Sequence, residues 1–335
     1  MAVPLATIAT AAKVSTKTVA NVLNPTYRHL YSPRTVERIL TLAAELGYQP
    51  NGSARSLVSR RFAAVGLLLS TSAQLSNLPL PLLHGIEEAL HQADLNLMVA
   101  ALPDERLRDP ATLPKVLREL LVDGLLIDYN TAVPDVLARH VDSAERPAVW
   151  LNALHATNCI RPDDFSAARD LTTAVLAAGH RRIAYIDEVF HRISGQRHYS
   201  KDHRLAGFRA ACPAGRVLLD DAPIALHERL RTLFRRADRP TAVVCYGSEP
   251  VYVIEAAARA GLDLPGDLLI CGFAGGGQAG PGSYRMALAE VPERAVGAAA
   301  VALLRQRLAN PTHQVGEVLL PFGQPQASLI VPPAG

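Results

Sequence analysis

The first 47 residues carry their apolar positions in three short bursts at helical spacing. Leu5, Ile8 and Ala12 share one face of a first helix, and the run "KVS" makes a turn. If Ser15 caps the next helix, Thr18, Val19 and Val22 fall on one arc of "STKTVANVLNP". Thr16, Lys17, Ala20, Asn21 and Asn24 fall on the opposite arc, which carries donors, acceptors, a methyl group and one positive charge. That face can meet water or base edges. The third burst has Ser32 as a cap, Pro33 in its first turn and Gly47 past its end, with Val36, Ile39, Leu40, Ala43 and Leu46 as its apolar stripe. Three short helices with one tight turn between the first two form a DNA-binding arrangement, and also the outline of a small bundle with no ligand.

Next comes "ELGYQPNGSARSLVSRR". Pro50 and Gly52 break structure, yet "SARSL" has room for one or two helical turns with Leu57 on one side. A helix that short is marginal alone and needs a surface to fold against. Carrying Leu and Arg, it suits a wedge into a minor groove, whereas a plain linker needs no Leu.

After Arg61 the period changes. Strand-length apolar runs appear at "AAVGLLL", "NLMVAAL", "DGLLID", "PAVWLN", "RIAYID", "RVLLD", "TAVVCY" and "DLLICGF". Helical patterns lie between most of them, as in "LLHGIEEALHQA", "LPKVLRELL", "ARDLTTAVLAAG" and "EPVYVIEAAARAG". Parallel strands buried on both faces read as continuous apolar runs, so the body is expected to be α/β in two lobes, with ligand at the carboxyl ends of the strands.

Composition agrees with this division. The 335 residues, 49% hydrophobic and 19% charged, suit two or three cored domains. No apolar run reaches the length of a membrane span. The opening lacks a charged region followed by an apolar core and cleavage site, so a cytoplasmic protein is expected. Cys159, Cys212, Cys245 and Cys271 form no Cys-x-x-Cys pair and are expected to be reduced and buried. The net charge of +3 is unevenly spread: residues 1–61 hold eight Lys and Arg against two Glu, which is +6, leaving −3 for the remainder. A basic head on a slightly acidic body points to a polyanion as the head's partner.

The runs "TIATAAKVSTKTVANVLN" and "YSPRTVERILTLAAELGYQPNGSARSL" resemble the DNA-binding head and hinge of the lactose-repressor (LacI/GalR) family of bacterial regulators. The likeness continues through "VDGLLI", "PAVWLN", "AAGHRRIAYI", "RLAGFRAA" and "GLDLPGDLLICGF". It implies an all-α helix-turn-helix head over 1–48, a hinge helix over 49–61 and a two-lobed periplasmic-binding-protein-like α/β core over 62–335. Lobe 1 would take about 62–160 and 293–321, and lobe 2 about 161–291 and 322–335. It further implies that Thr16, Lys17, Ala20 and Asn21 meet the major groove, that Ser15 and Asn24 hold phosphates, and that Ala54, Arg55 and Leu57 enter the minor groove. There Leu57 and its symmetry mate would wedge into the centre of a palindromic operator. A homodimer is expected, with a tetramer left open, and "LLHGIEEALHQA" and "LPKVLRELL" could either form its interface or cover the sheet. Repression is the expected sign.

The chain departs from the family pattern in the head. Lys13 stands where Gly is usual at the turn, Asn21 where Arg is frequent, and the link between Asn24 and Ser32 is about two residues longer. Asn favours adenine where Arg favours guanine. In the core the resemblance implies an effector held by Asp128, Asn152, Arg204, Tyr246 and Ala274, with Tyr129 and Asn130 nearby and Trp150 in the strand core. Tyr246-Gly247 replaces a usual Asn-Asp pair, and Ala274 replaces an Asp that commonly binds sugar hydroxyls. Meanwhile "HRISGQRHYSKDHR" gathers His191, Arg192, Arg197, His198, Lys201, His203 and Arg204, which suits a carboxylate or phosphate on a sugar-like effector, or is a solvated loop. A pocket that has lost its ligand stays open as a third reading.

An α/β enzyme or a solute-binding protein is the alternative. The Gly275–Gly277 run lacks both a Walker motif and a dinucleotide fingerprint, and no Gly-x-Ser-x-Gly or His-Glu-x-x-His occurs. No catalytic residue, cofactor or metal is expected. The spacing of His191, His198 and His203 is the one pattern that would allow a metal.

Overall fold

The structure, a computed structural model of the chain, describes residues 3–49, 61–72, 76–103, 107, 117, 119, 121–131, 133–143, 146–188, 198–220, 223–247, 250–275, 284–325 and 327–333. The chain divides into two compact units, Met1–Phe62 and Ala63–Gly335.

In the first unit α1 (Leu5–Ala12), α2 (Thr16–Leu23) and α3 (Pro33–Glu45) enclose a core of Ile8, Ala9, Ala12, Val19, Val22, Ile39 and Ala43. The Oγ atoms of Ser15 and Ser32 accept from Thr18 N at 3.0 Å and Thr35 N at 3.3 Å, so both caps form. Lys13 adopts the left-handed conformation, φ 51° and ψ 45°, that ends α1. The long link after α2 folds as a 3-10 turn over Pro25–Leu30. Two members of the α3 stripe are misplaced by the sequence pattern, Leu40, which does not join the head core, and Leu46. Leu46 sits past the last helical turn and is exposed, and Leu42 packs against the core instead.

The second unit holds two parallel sheets. The first, ordered β11-β5-β4-β3-β1-β2, joins β1 (Ala64–Ser70), β2 (Asn96–Leu102), β3 (Gly124–Asp128), β4 (Ala148–Leu151), β5 (Cys159–Pro162) and β11 (Glu317–Leu320). One face, with Val65, Leu67, Leu126 and Val149, packs on α4 (Leu80–Gln92) and α10 (Glu293–Ala309); the other, with Leu68, Ile127 and Trp150, packs on α5 (Asp135–Ser143). The α4–α10 seam is tight, since a Cβ on Gly85 would lie 2.1 Å from the Arg294 carbonyl oxygen. The expected helix at "LPKVLRELL" lies largely outside the described residues.

The second sheet, ordered β10-β9-β8-β6-β7, joins β6 (Ile183–Glu188), β7 (Arg216–Asp220), β8 (Ala242–Cys245), β9 (Leu269–Ala274) and β10 (Ala287–Glu290). Tyr185, Val244 and Cys271 pack on α6 (Asp164–Ala177) and α7 (Tyr199–Ala211). Ala184, Ile186, Val243 and Ile270 pack on α8 (Pro223–Phe234) and α9 (Pro250–Arg259). All eight expected strands form, and β5, β10 and β11 are additional. Because β5 runs to Pro162, the chain leaves the first sheet slightly later than the sequence division placed it. It crosses between sheets at 162–164, 290–293 and 320–322. Backbone bonds stitch these crossings together: Asp163 N to Leu320 O at 2.8 Å, and Gly323 N to Glu290 O at 2.8 Å.

Candidate DNA interface and effector cleft

In the head, α2 buries Val19 and Val22 and turns Thr16 and Lys17 outward, with Ala20 and Asn21 half-buried beside them. The four therefore share the face opposite the core. Its amino end carries no acidic residue, so the positive end of the helix dipole adds to Lys17. Ser15 is committed to its cap and to a 2.9 Å bond with the Thr18 hydroxyl. Asn24 is exposed and caps the 3-10 turn, its Oδ1 accepting from Thr26 N at 3.0 Å. Two residues that sequence reasoning missed hold this face. Arg28 Nε donates to the Val22 carbonyl at 3.0 Å, closing the end of α2, and the Tyr31 hydroxyl accepts from Asn21 Nδ2 at 2.8 Å. Ala54, Arg55 and Leu57 lie outside the described residues.

In the core, four of the five expected effector residues sit at the carboxyl ends of strands, and Arg204 lies on α7. Asp128 ends β3, Asn152 follows β4, Tyr246 follows β8 and Ala274 ends β9. Asp128 is fully buried. Its Oδ1 accepts from Asn130 Nδ2 at 2.7 Å, while its Oδ2 has no hydrogen-bond partner among the described residues. Burial raises this carboxyl to about 7, against the smaller opposing effect of Asn130. Ser76 donates to the Asp128 carbonyl, and Asn130 Oδ1 accepts from Asn77 N at 3.0 Å, which fixes the strand end. Asn152 has φ 48°, and its Oδ1 accepts from the Tyr199 hydroxyl at 2.6 Å, so one bond spans from the first sheet's side to α7.

Arg204 is buried and already partnered. Its Nε donates to Asp164 Oδ1 at 2.7 Å and its Nη1 to the Tyr246 carbonyl at 2.9 Å, and its guanidinium lies over the rings of Phe273 at 4.3 Å and Tyr246 at 4.8 Å. Burial disfavours its charge most strongly, but Asp164, Tyr246 and Tyr185 together hold its pKa above the usual arginine value. The seam between α6 and α7 that brings the pair together needs Gly207, where a Cβ would lie 2.2 Å from the Phe165 carbonyl oxygen. Lys201 is buried too, paired with Asp187 and lying 4.2 Å from the Tyr246 ring centroid. Tyr246 and Ser200 share a hydroxyl bond of 2.8 Å. His198 caps α7, and burial pushes it down to about 4, so it is neutral at physiological pH.

These pairings correct the picture of a loop rich in free cations. Residues 199–211 are helix, and Lys201 and Arg204 are neutralised by Asp187 and Asp164. His191, Arg192 and Arg197 lie outside the described residues. Ala274 offers only its backbone, and its carbonyl accepts from Val291 N at 2.8 Å. Trp150 is core, stacked on His155 at 4.6 Å. Among the described residues no cluster of His, Cys, Asp and Glu could hold a metal, and no helix is long and apolar enough to cross a membrane.

A helix-turn-helix head on a two-sheet, periplasmic-binding-protein-like core defines a class: DNA-binding transcriptional regulators that carry a ligand-binding domain. Comparison with known proteins agrees. Residues 5–51 match the family model of bacterial regulatory proteins, lacI family, and residues 172–325 match a periplasmic binding protein-like domain. A ribose operon repressor of Haemophilus influenzae is 27% identical over 331 residues, 93% of this chain and 94% of the relative. The HTH-type transcriptional repressor PurR of Photobacterium profundum is 25% identical over 320 residues, 92% of each chain. In fold, the chain is similar to the Lac repressor dimer bound to operator and the anti-inducer ONPF, with TM-score 0.75 at 21% identity over 99% of this chain and 100% of that one. It is also similar to the regulator CelR in complex with cellobiose, with TM-score 0.59 at 22% identity over 96% and 97%. The head thus matches the lacI family of bacterial regulatory proteins, and repressors of that kind are similar to the chain over most of its length. The chain is a DNA-binding transcriptional regulator and not an enzyme.

Proposed function

We propose that this regulator binds a palindromic operator as a homodimer in the cytoplasm, represses transcription there, and changes its grip when a small effector enters the cleft between its lobes. The observation that carries the reading is the outward face of α2, with Thr16, Lys17, Ala20 and Asn21 set opposite buried Val19 and Val22, in a head and hinge (residues 1–61) of net charge +6. Ser15 and Asn24 are assigned to phosphates, and Ala54, Arg55 and Leu57 to the minor groove through a hinge that folds on DNA. The head is taken as 1–48, the hinge as 49–61 and the core as 62–335. Repressor relatives and a structural neighbour bound to operator as a dimer support the sign and the stoichiometry.

The effector is assigned to Asp128, Asn152, Arg204, Tyr246 and Ala274, and a carbohydrate is the class to test, given a neighbour in complex with cellobiose. A sugar acid or sugar phosphate would need cations other than Arg204 and Lys201, which are already paired. Thermal-shift titration with neutral sugars, sugar acids and sugar phosphates separates these classes. The DNA reading is tested by selecting sites from random duplex with the full-length protein at about 0.15 M salt, where phosphate contacts alone bind weakly. A palindrome enriched by the parent, and lost when Thr16, Lys17 and Asn21 are all changed to Ala, supports it. Salt-labile binding to every duplex, without and with each sugar, refutes it.

A further inference from the structure

Among the described residues, Asn21 is the one member of the α2 reading face (Thr16, Lys17, Ala20 and Asn21) whose side chain is tied to another element of the head. Its Nδ2 donates to the Tyr31 hydroxyl at 2.8 Å, across ten residues of chain. Tyr31 is well placed to hold still. It packs against the head core, its backbone N–H bonds to the Arg28 carbonyl at 3.2 Å, and the next residue, Ser32, caps α3. Thr16 and Lys17, by contrast, are exposed on the first turn of the same helix.

A primary amide offers two N–H donors and one oxygen acceptor. With one N–H given to Tyr31, Asn21 keeps one donor and its oxygen. That remainder matches adenine, which shows N7 as acceptor and N6–H as donor in the major groove. Guanine shows two acceptors there, N7 and O6, and asks for two donors. An amide that has already given away one N–H cannot supply both.

We propose that Tyr31 is a positioning residue for base readout: its hydroxyl holds the Asn21 amide in the orientation that accepts adenine and rejects guanine at one base pair of the operator. The proposal rests on the reading of α2 as the base-reading helix. Tyr31 touches no base in this account and acts through Asn21 alone.

The experiment is competition binding of the full-length protein to its selected operator and to variants at each base pair, for the parent, Tyr31→Phe, Asn21→Ala and the double variant. Phe keeps the ring packing, so the head stays folded. The expected result is a parent preference for adenine over guanine of about tenfold or more at the pair where Asn21→Ala flattens discrimination. Tyr31→Phe lowers that preference about three- to tenfold, the effect of one hydrogen bond. In the Asn21→Ala background the same change does nothing, which a purely structural role for Tyr31 would not produce. Full preference retained in Tyr31→Phe, alongside flattening by Asn21→Ala, overturns the positioning role and leaves the reading helix standing. Guanine selected at that pair overturns it as well, because both N–H groups would then face outward. No flattening by Asn21→Ala at any pair overturns both.

Discussion

The head and the core treat their polar residues in opposite ways. In the head the core is wholly apolar, from Ile8 to Ala43, and Thr16, Lys17 and Asn24 stand on its surface. In the core the charges of α7 turn inward and are neutralised, Arg204 by Asp164 of α6 and Lys201 by Asp187 of β6. The difference follows from what each part meets. A duplex is large and already solvated, so its reader keeps donors outside and gives up little to present them. A small effector is enclosed, so its receptor must hold charges away from water before the ligand arrives, and a buried charge persists only when paired.

The largest effect expected from breaking this contrast lies in the core. Arg204→Ala leaves the Asp164 carboxylate buried without its cation, which costs about 3–5 kcal/mol of stability in urea denaturation followed by circular dichroism. Operator binding by protein that remains folded is unchanged, and any response to effector is lost. An unchanged urea midpoint would mean that Asp164 is solvated.

Asp128 gives the next effect, and its sign depends on pH. Its carboxyl is held at about 7, above the ordinary value near 4, so the folded protein binds the extra proton between those limits. The stability this contributes is full below about pH 4 and is lost as pH rises through about 7. Asp128→Asn removes that slope and stabilises the protein at pH 8 by on the order of 2–4 kcal/mol relative to the parent, with little difference at acid pH. Parallel melting curves of the two proteins from pH 5 to pH 8 would contradict this.

In the head the effects are smaller. Asn21→Ala costs roughly 1–3 kcal/mol of operator binding and relaxes one base pair. Lys13→Gly stabilises the head by about 0.5–1 kcal/mol, because a left-handed backbone strains Lys and not Gly. Melting of the isolated unit of residues 1–62 reads the second effect, and a fall in its midpoint would mean that the Lys13 side chain has an unsuspected partner.

The same contrast explains what was legible in the sequence. The inner strands β1, β3, β4, β6, β8 and β9 are buried on both faces and read as apolar runs, and the edge strands β2 and β7 read so too although Met98, Val99 and Leu219 are exposed, whereas β5, β10 and β11 are four residues each and mix Arg161, Glu290 and Glu317 with apolar neighbours. The face of α2 was legible because cap, period and charge all sit within ten residues. The ion pairs of the cleft were not, since Asp164 and Arg204 are forty residues apart and meet only because Gly207 lets α6 and α7 approach. The apparent basic loop was misleading for this reason: spacing along the chain shows cations but not the acids that fold onto them. Tyr31 was hidden differently, one residue before a cap and outside every apolar stripe.

The most direct measurement of the central claim is equilibrium binding of the full-length protein to its selected palindrome and to a scrambled duplex of equal composition, at about 0.15 M salt. The parent is predicted to prefer the palindrome by about a thousandfold or more, and the chain with Thr16, Lys17 and Asn21 changed to Ala by less than about tenfold. An undiminished preference in that variant would contradict the account, because the sequence would then be read by some part of the molecule other than the outward face of α2.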